Sequence, residues 1–249
     1  MSAPTARDNG RRFRPLVLFY HAVSESWDDE LAVTPKAFES QVRSALRRGY
    51  VPASARDLLD GSKKLMHVTF DDGLCNIRGA ISLLTSLRVP ATVFVCPGYA
   101  DDGRPFDVGR LAHLDSAEER ETMKWEELRE LSELGVEVGS HTTTHAHLTQ
   151  LSDVELRREL SGSKERIEDE LGRPCAFLAY PFGEHDPRVR AAAQAAGFAA
   201  AFAAPRGYGE FDRFALPRVA LYRRDTRPRA TLKMSQLGLL IAARRQRHH

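Results

Sequence analysis

Apolar residues recur along this chain in two alternating rhythms, short continuous runs and three-to-four-residue periods, and each rhythm predicts a different element. The clearest helical period is VTPKAFESQVRSALRRGY, where Thr34 can cap, Pro35 sits at the first helical position, Phe38, Val42 and Leu46 recur every four residues, and Gly49 closes the helix. A shorter helix is expected over Ser54–Gly61. Ile77, Ile81, Leu84 and Leu87 form a stripe that stops before Pro90, and Trp125, Leu128, Leu131 and Leu134 form another that ends at Gly135. Ser152 and Glu155 open a capping box whose helix ends at Gly172, and Asp186 with Pro187 starts a last one that runs to Gly197. The continuous runs are strand candidates: Leu16–Tyr20, Leu65–Phe70, Ala91–Val95, Val136–Ser140, Ala176–Tyr180, Phe198–Ala203 and Leu216–Ala220. Strand and helix alternating over one domain's length imply a mostly parallel α/β sheet, either a barrel or an open doubly wound sheet.

Parallel α/β folds build their sites at the C-terminal ends of strands. His21 follows LVLFY, Asp71 and Asp72 follow MHVTF, His141 follows VEVGS, and Pro181 follows AFLAY, so residues far apart in sequence are expected at one mouth. The segment Gly98–Lys124 interrupts the alternation and reads either as an insertion shaping a groove at that mouth or as a solvated loop.

Composition narrows the choice of partner. The 249 residues are 42% hydrophobic and 28% charged, ordinary for a globular protein. Thirty-six Lys and Arg against 34 Asp and Glu leave a formal charge of +2, which is no electrostatic footprint for nucleic acid. Cys75, Cys96 and Cys175 are scattered and without C-x-x-C pairing, so they read as buried thiols rather than disulfides or thiolate ligands. Arg11 and Arg12 precede an apolar run too short for a signal peptide, and no stretch approaches a membrane span, so a cytoplasmic location is expected. Residues 1–15 are expected to be a disordered arm, 16–230 the α/β barrel domain, and 231–249 a helix with a basic tail. That tail either packs on the domain and frays, or docks on a membrane surface.

The chemistry concentrates in two stretches. In GSHTTTHAH, His141 and His145 lie four apart, on one face if the segment is a helical turn, and His147 points elsewhere. Two imidazoles do not make a metal site, but VTFDDG can supply the missing oxygen ligand. Side chains of Asp71 and Asp72 would alternate within a strand, whereas a sharp turn at Gly73 lets both face one cavity. A carboxylate with two imidazoles leaves a coordination position open, the pattern of a catalytic zinc site, and the second carboxylate can then act as base toward water held there.

Val68-Thr69-Phe70-Asp71-Asp72-Gly73, Ser140-His141-Thr142-Thr143-Thr144-His145 and Tyr180-Pro181-Phe182-Gly183 resemble, in this order, the first three motifs of the polysaccharide deacetylases, carbohydrate esterase family four. The resemblance runs from about Leu16 to Val219 and implies a single-domain, distorted, incomplete (β/α)7-type barrel. It implies Asp71 as general base, and Asp72, His141 and His145 as ligands of zinc, with cobalt or nickel as other cations that such a set accepts. It places the backbone amide of Phe182 at the oxyanion, with Tyr180 and Pro181 of the same motif beside the substrate. Two departures follow. Ala179 stands where many members carry an arginine that steadies the base, and Arg218 in LPRV is the proposed replacement. The late L-x-H motif that supplies the acid is missing, and His21 in FYHAV resembles the N-terminal Y-H of the biofilm poly-N-acetylglucosamine deacetylase branch. His147 is expected to be dispensable, His67 to pack behind the barrel, and Glu184 and His185 either to touch substrate or to begin the next helix.

The function expected is removal of N-acetyl groups from an N-acetylated sugar or glycan of the N-acetylglucosamine type. Two rivals stand beside it. One is a deacylase or deformylase of a small or lipid-linked amino sugar or another non-peptide amide; the other is a carbohydrate-binding barrel without turnover.

Overall fold

The computed structural model describes residues 15–60, 64–113, 116–204 and 212–235, together with Gly238. Its strands are β1 (Leu16–Tyr20), β2 (Ala22–Val23), β3 (Ala32–Val33), β4 (Val51–Pro52), β5 (Leu65–Phe70), β6 (Ala91–Val95), β7 (Glu137–Ser140), β8 (Phe177–Ala179), β9 (Ala200–Ala203), β10 (Leu216–Pro217) and β11 (Val219–Ala220). The α-helices among the described residues are α1 (Pro35–Arg47), α2 (Arg78–Ser86), α3 (Pro97–Ala100), α4 (Trp125–Glu133), α5 (Asp153–Leu171), α6 (Pro187–Ala195) and α7 (Arg227–Lys233). Local chemistry sets their ends: Thr34 caps α1 by accepting from Ala37 N, Ser152 and Glu155 close the capping box of α5, and Gly172 ends α5 at φ 62°. The expected Ser54–Gly61 helix is reduced to a 3₁₀ segment, Asp57–Asp60, and a 3₁₀ turn at Cys75–Ile77 precedes α2.

Every ladder is parallel, and the large sheet runs β10-β9-β8-β7-β6-β5-β1-β11, with β4 joined to the start of β5. The last segment supplies both ends of that order. Leu216 and Pro217 pair with Phe202 and Ala203 of β9, and two residues later Val219 and Ala220 pair with Leu18 and Phe19 of β1. One extended stretch therefore spans the seam between β9 and β1, which curls the sheet into a nearly closed, distorted α/β barrel. Arg218 stands at the change of neighbour.

Alternation along the strands separates two layers. Leu18, Tyr20, Val68, Phe70, Val93 and Leu178 face outward onto Phe38, Val42, Ile81, Leu84, Leu128, Leu160 and Ile167 of the surrounding helices. Val17, Leu65, Phe94, Phe177, Phe202 and Leu216 form a separate inner cluster together with Ala53, Ala55 and Leu58, which follow β4 and plug the barrel floor. His67, expected behind the barrel, lies within this inner layer, where its Nδ1 meets the Ala53 carbonyl and its Nε2 the Thr92 hydroxyl, both at 2.8 Å. Burial pushes its pKa down to about 4, so it is a neutral pin between strands and floor. With the floor filled, chemistry is left to the C-terminal mouth.

The segment 98–124 is no solvated loop. Tyr99, Phe106 and Leu111 pack with Ala22, Trp27, Ala32, Leu74 and Cys96 in a third cluster at the mouth. Backbone bridges tie Leu74 to Thr122 and Pro105 to Glu121, and Met123 N donates to the Gly73 carbonyl at 2.8 Å. At the other end of the chain, buried Asp225 receives Lys233 Nζ at 2.6 Å and Arg229 Nε at 3.0 Å, docking α7. The arm expected over 1–15 lies outside the described residues except for its last residue, as does most of the tail expected over 231–249. No helix among the described residues is long and apolar enough to cross a membrane.

The inner layer leaves no room at Gly139 of β7, where a Cβ would sit 2.6 Å from the Phe94 ring and 2.9 Å from the Phe177 carbonyl. Gly139→Ala is expected to destabilise the fold by about 1–3 kcal/mol through overpacking. Urea unfolding would read this as a lower midpoint at unchanged slope.

Candidate functional site

Parallel registry brings the strand ends to one level. Tyr20 pairs with Phe70, Phe70 with Val93, Val95 with Ser140, and Ser140 with Leu178, so His21, Asp71 and His141 each follow the last paired residue of their strands. Asp71 N donates to the Tyr20 carbonyl at 3.0 Å and His141 N to the Val95 carbonyl at 2.8 Å, extending the ladders into the site.

The turn after β5 is sharper than a single glycine would make it. Asp72 at φ 68° and Gly73 at φ 65° are both left-handed, which turns the Asp71 and Asp72 carboxylates toward the same cavity. The segment after β7 is not the helical turn expected from the four-residue spacing. It is an irregular loop in which Thr142 (φ 66°) and His145 (φ 62°) are left-handed. Glu159 of α5 staples it: one carboxylate oxygen accepts from Thr143 N at 2.8 Å and Thr144 N at 3.0 Å, and the other from the Thr144 hydroxyl at 2.8 Å. Glu159 went unnoticed in the sequence, although an acidic residue beside the apolar positions Leu156, Leu160 and Ile167 of α5 is a signal. Four of the five non-glycine residues with positive φ among the described residues, Asp72, Thr142, His145 and Phe182, lie in these site loops. Each costs about 1–3 kcal/mol, so the surrounding packing must hold them.

His141 Nδ1 donates to the Ala179 carbonyl at 2.8 Å, which leaves Nε2 as the lone-pair atom facing the cavity. Asp72 Oδ1 lies 3.4 Å from His141 Nε2 and 3.7 Å from His145 Nε2, and one potential donor atom from each of the three residues lies within 4.8 Å of the other two. All three side chains are buried, and Asp72 Oδ1 has no hydrogen-bond partner. Burial pushes both imidazoles down, His145 to about 2 with help from neighbouring His141, so both are neutral. Burial and the adjacent Asp71 charge push the Asp72 carboxyl well above the usual range. A buried acceptor facing two neutral imidazole nitrogens lacks a positive charge, and a divalent cation at that point would supply it; the donor set suits zinc.

Asp71 is held otherwise. Arg218 Nη1 donates to Asp71 Oδ1 at 2.7 Å and Nη2 to Oδ2 at 2.9 Å, a bidentate pair with both partners buried. Arg218 is itself fixed by Nε donating to the Ala203 carbonyl at 3.2 Å, and its guanidinium stacks 3.9 Å from the Phe19 ring. Burial opposes ionisation of Asp71, but the Arg218 guanidinium prevails and holds its carboxyl below the ordinary value. Asp71 Oδ2 is also 3.7 Å from His141 Nε2. His21, partly buried at the end of β1 with its ring 4.6 Å from Phe19, is close enough for its charge to contribute to lowering Asp71.

In the third motif, Pro181–Gly183 is a short turn kinked at Phe182, which is left-handed at φ 56°. Gly183 (φ 65°) permits it, because a Cβ there would sit 2.0 Å from that of Ala204. Phe182 is exposed at the rim and Pro181 is buried beneath it. The side chain of Tyr180, expected beside the substrate, is fully buried in the outer layer, and its hydroxyl donates to the Phe214 carbonyl at 2.9 Å. His185 is taken up with Arg190 at 3.1 Å and Tyr180, while Glu184 accepts from His147 Nδ1 at 3.0 Å.

Comparison with known proteins bears on this constellation. A family model described as polysaccharide deacetylase matches residues 59–201. The chain is 26% identical over 190 residues to YxkH of Bacillus subtilis (strain 168), a stretch that covers 73% of this chain and 61% of that protein's length. It resembles the crystal structure of BC0361, a polysaccharide deacetylase from Bacillus cereus, at TM-score 0.73 and 25% identity over 89% of this chain and 69% of that one. It shares its fold with the Streptococcus pyogenes deacetylase PplD, solved with acetate, at TM-score 0.76 and 20% identity over 90% and 100% of the two chains.

The Arg218–Asp71 pair gives a pH-dependent prediction for chelator-treated protein. Arg218→Met should cost about 3–5 kcal/mol at neutral pH, because it leaves a buried carboxylate unpaired. In the wild type the folded-state pKa of Asp71 lies below its unfolded value, so its contribution is present above the unfolded value and lost as pH falls through the folded one. In the variant the order reverses, and the deficit relative to wild type should shrink as pH is lowered from about 7 toward 4. Urea titrations across that range read the difference, and a deficit that does not vary with pH would exclude Asp71 as the group coupled to Arg218.

Proposed function

Because the chain belongs to the polysaccharide deacetylase family, we propose that it is a metal-dependent hydrolase that removes N-acetyl groups from N-acetylated sugars of the N-acetylglucosamine type. The observation that carries this reading is the division of labour between two adjacent carboxylates: Asp72 Oδ1 has no hydrogen-bond partner beside two neutral imidazoles, and Asp71 is ion-paired beside them. A site that merely binds sugar has no use for that difference. The chain spans 61% of the length of YxkH, and the activity proposed concerns the domain described here.

Asp72, His141 and His145 would hold the cation, zinc in the first instance, with cobalt or nickel also suited to nitrogen and oxygen ligands. When bound, it supplies Lewis acidity that makes water a nucleophile near neutral pH and polarises the amide carbonyl. Asp71, kept ionised and oriented by Arg218, takes the proton from the attacking water. The Phe182 amide would donate to the oxyanion that develops on the carbonyl oxygen. His21, at the end of β1 beside β5, gives a proton to the departing nitrogen as the C–N bond breaks, so the products are a free amino sugar and acetate.

Acetate release from a panel of N-acetylated sugars, with and without a chelator, tests the reading directly. Chelation should abolish release and zinc should restore it. Release from acylated non-sugar amides alone would favour a different deacylase, and metal binding without any release would favour a carbohydrate-binding barrel.

Two substitutions separate the roles. Asp71→Asn should lower turnover by roughly 10²–10⁴-fold while zinc content, read by atomic absorption, stays stoichiometric. His141→Ala should lose zinc as well as turnover, and full occupancy in that variant would remove His141 from the ligand set.

A further inference from the structure

The two imidazoles that face Asp72 are held by different means. His141 is anchored twice, by its amide on the Val95 carbonyl at 2.8 Å and by Nδ1 donating to the Ala179 carbonyl at 2.8 Å. His145 lacks the second anchor: its Nδ1 is buried with no hydrogen-bond partner among the described residues, and its ring packs against Phe106, His141 and Phe182. A metal-binding histidine ordinarily gives its second nitrogen to a carboxylate, a carbonyl or water, and loss of such a partner weakens metal binding. The placing of His145 Nε2 therefore falls to the backbone that carries it. That backbone is strained, because Thr142 and His145 are both left-handed.

Glu159 grips the two residues between them. Its carboxylate takes the Thr143 and Thr144 amides and the Thr144 hydroxyl, and the Thr143 hydroxyl donates to the Glu159 carbonyl at 3.3 Å. The docking of α5 rests on other residues of the helix: Leu156, Leu160 and Ile167 are buried in the outer layer, and the Ser163 hydroxyl meets that of Ser140 at 2.7 Å. We propose that Glu159 is a positioning residue for the metal site: through Thr143 and Thr144 it fixes the loop that presents His145, in place of the hydrogen bond that the His145 ring lacks. The cation then enters a loop already formed, and its affinity is not spent on ordering one. This rests on the metal-dependent reading above. A residue that merely ties α5 to the barrel would stabilise the fold equally with and without metal, whereas a positioning residue acts on metal affinity.

The test measures the zinc affinity of the full chain by competition with a chelating dye, together with urea midpoints of the same proteins with and without zinc. Glu159→Ala should weaken zinc binding by about 10–100-fold, and the rise in midpoint that zinc produces should shrink with it. Glu159→Gln keeps an oxygen for the two amides and an NH₂ for the Thr144 hydroxyl, so its affinity should stay within about twofold of wild type. Thr144→Val, at an exposed position, removes one of the contacts and should weaken binding about threefold. Wild-type affinity in Glu159→Ala, or in Thr144→Val should Glu159→Ala not fold, would overturn the positioning role, as would a midpoint lowered equally with and without zinc; each leaves the metal reading in place. Glu159→Gln as weak as Glu159→Ala would assign the effect to charge and overturn it too. A wild type that binds no zinc would remove the metal reading, and this inference with it.

Discussion

The arrangement of this molecule depends on one buried ion pair, Arg218 with Asp71. Arg218 occupies the single residue between β10 and β11, where the last extended segment leaves β9 and joins β1. The barrel seam and the carboxylate at its mouth are thereby linked through one guanidinium, which also takes the Ala203 carbonyl and covers the Phe19 ring. A buried pair of this kind adds little net stability over a well-packed apolar substitute, yet breaking it is costly. Its value here is orientation: Asp71 stays ionised and fixed, with both oxygens engaged, beside a second carboxylate that burial drives the other way. Two neighbouring residues of the same chemical type are thus set to different tasks by what faces them.

Strain is the second constraint. Four left-handed non-glycine residues in three short loops are a large local expense for a fold of ordinary marginal stability. The structure confines that strain to the mouth and backs each loop with a specific support. Glu159 staples the loop after β7, the segment 98–124 brackets the turn after β5 through Met123 and Thr122, and the close approach of Gly183 to Ala204 seats Phe182. The floor of the barrel is sealed by Ala53, Ala55, Leu58 and His67.

The larger elements were legible because their signals are local. Periodicity and caps located the major helices, and the apolar runs located the main barrel strands to within a residue or two. Strand-end placement in the sequence alone groups His21, Asp71, Asp72 and His141 at one mouth. What was not legible depends on contacts between distant residues. The four-residue spacing of His141 and His145 suggested a helical turn, but the loop conformation is set by Glu159 from α5. Tyr180 shares a motif with exposed Phe182, yet strand alternation sends its side chain into the outer layer. The break of LPRVA into two half-strands at Arg218 follows from barrel closure, which no window of sequence contains. The short pieces β2, β3 and β4 carry too few residues to show a period.

The central claim is that Asp72, His141 and His145 bind one cation while Asp71 stays outside its coordination on Arg218. A crystal structure of the zinc-soaked protein with anomalous data at the zinc edge tests it most directly. The account predicts one strong anomalous peak about 2.0–2.2 Å from an Asp72 carboxylate oxygen and from an imidazole nitrogen of His141 and of His145, with the bidentate Arg218–Asp71 contact intact. A peak ligated by Asp71 with Arg218 displaced, or zinc bound away from this mouth, would contradict it.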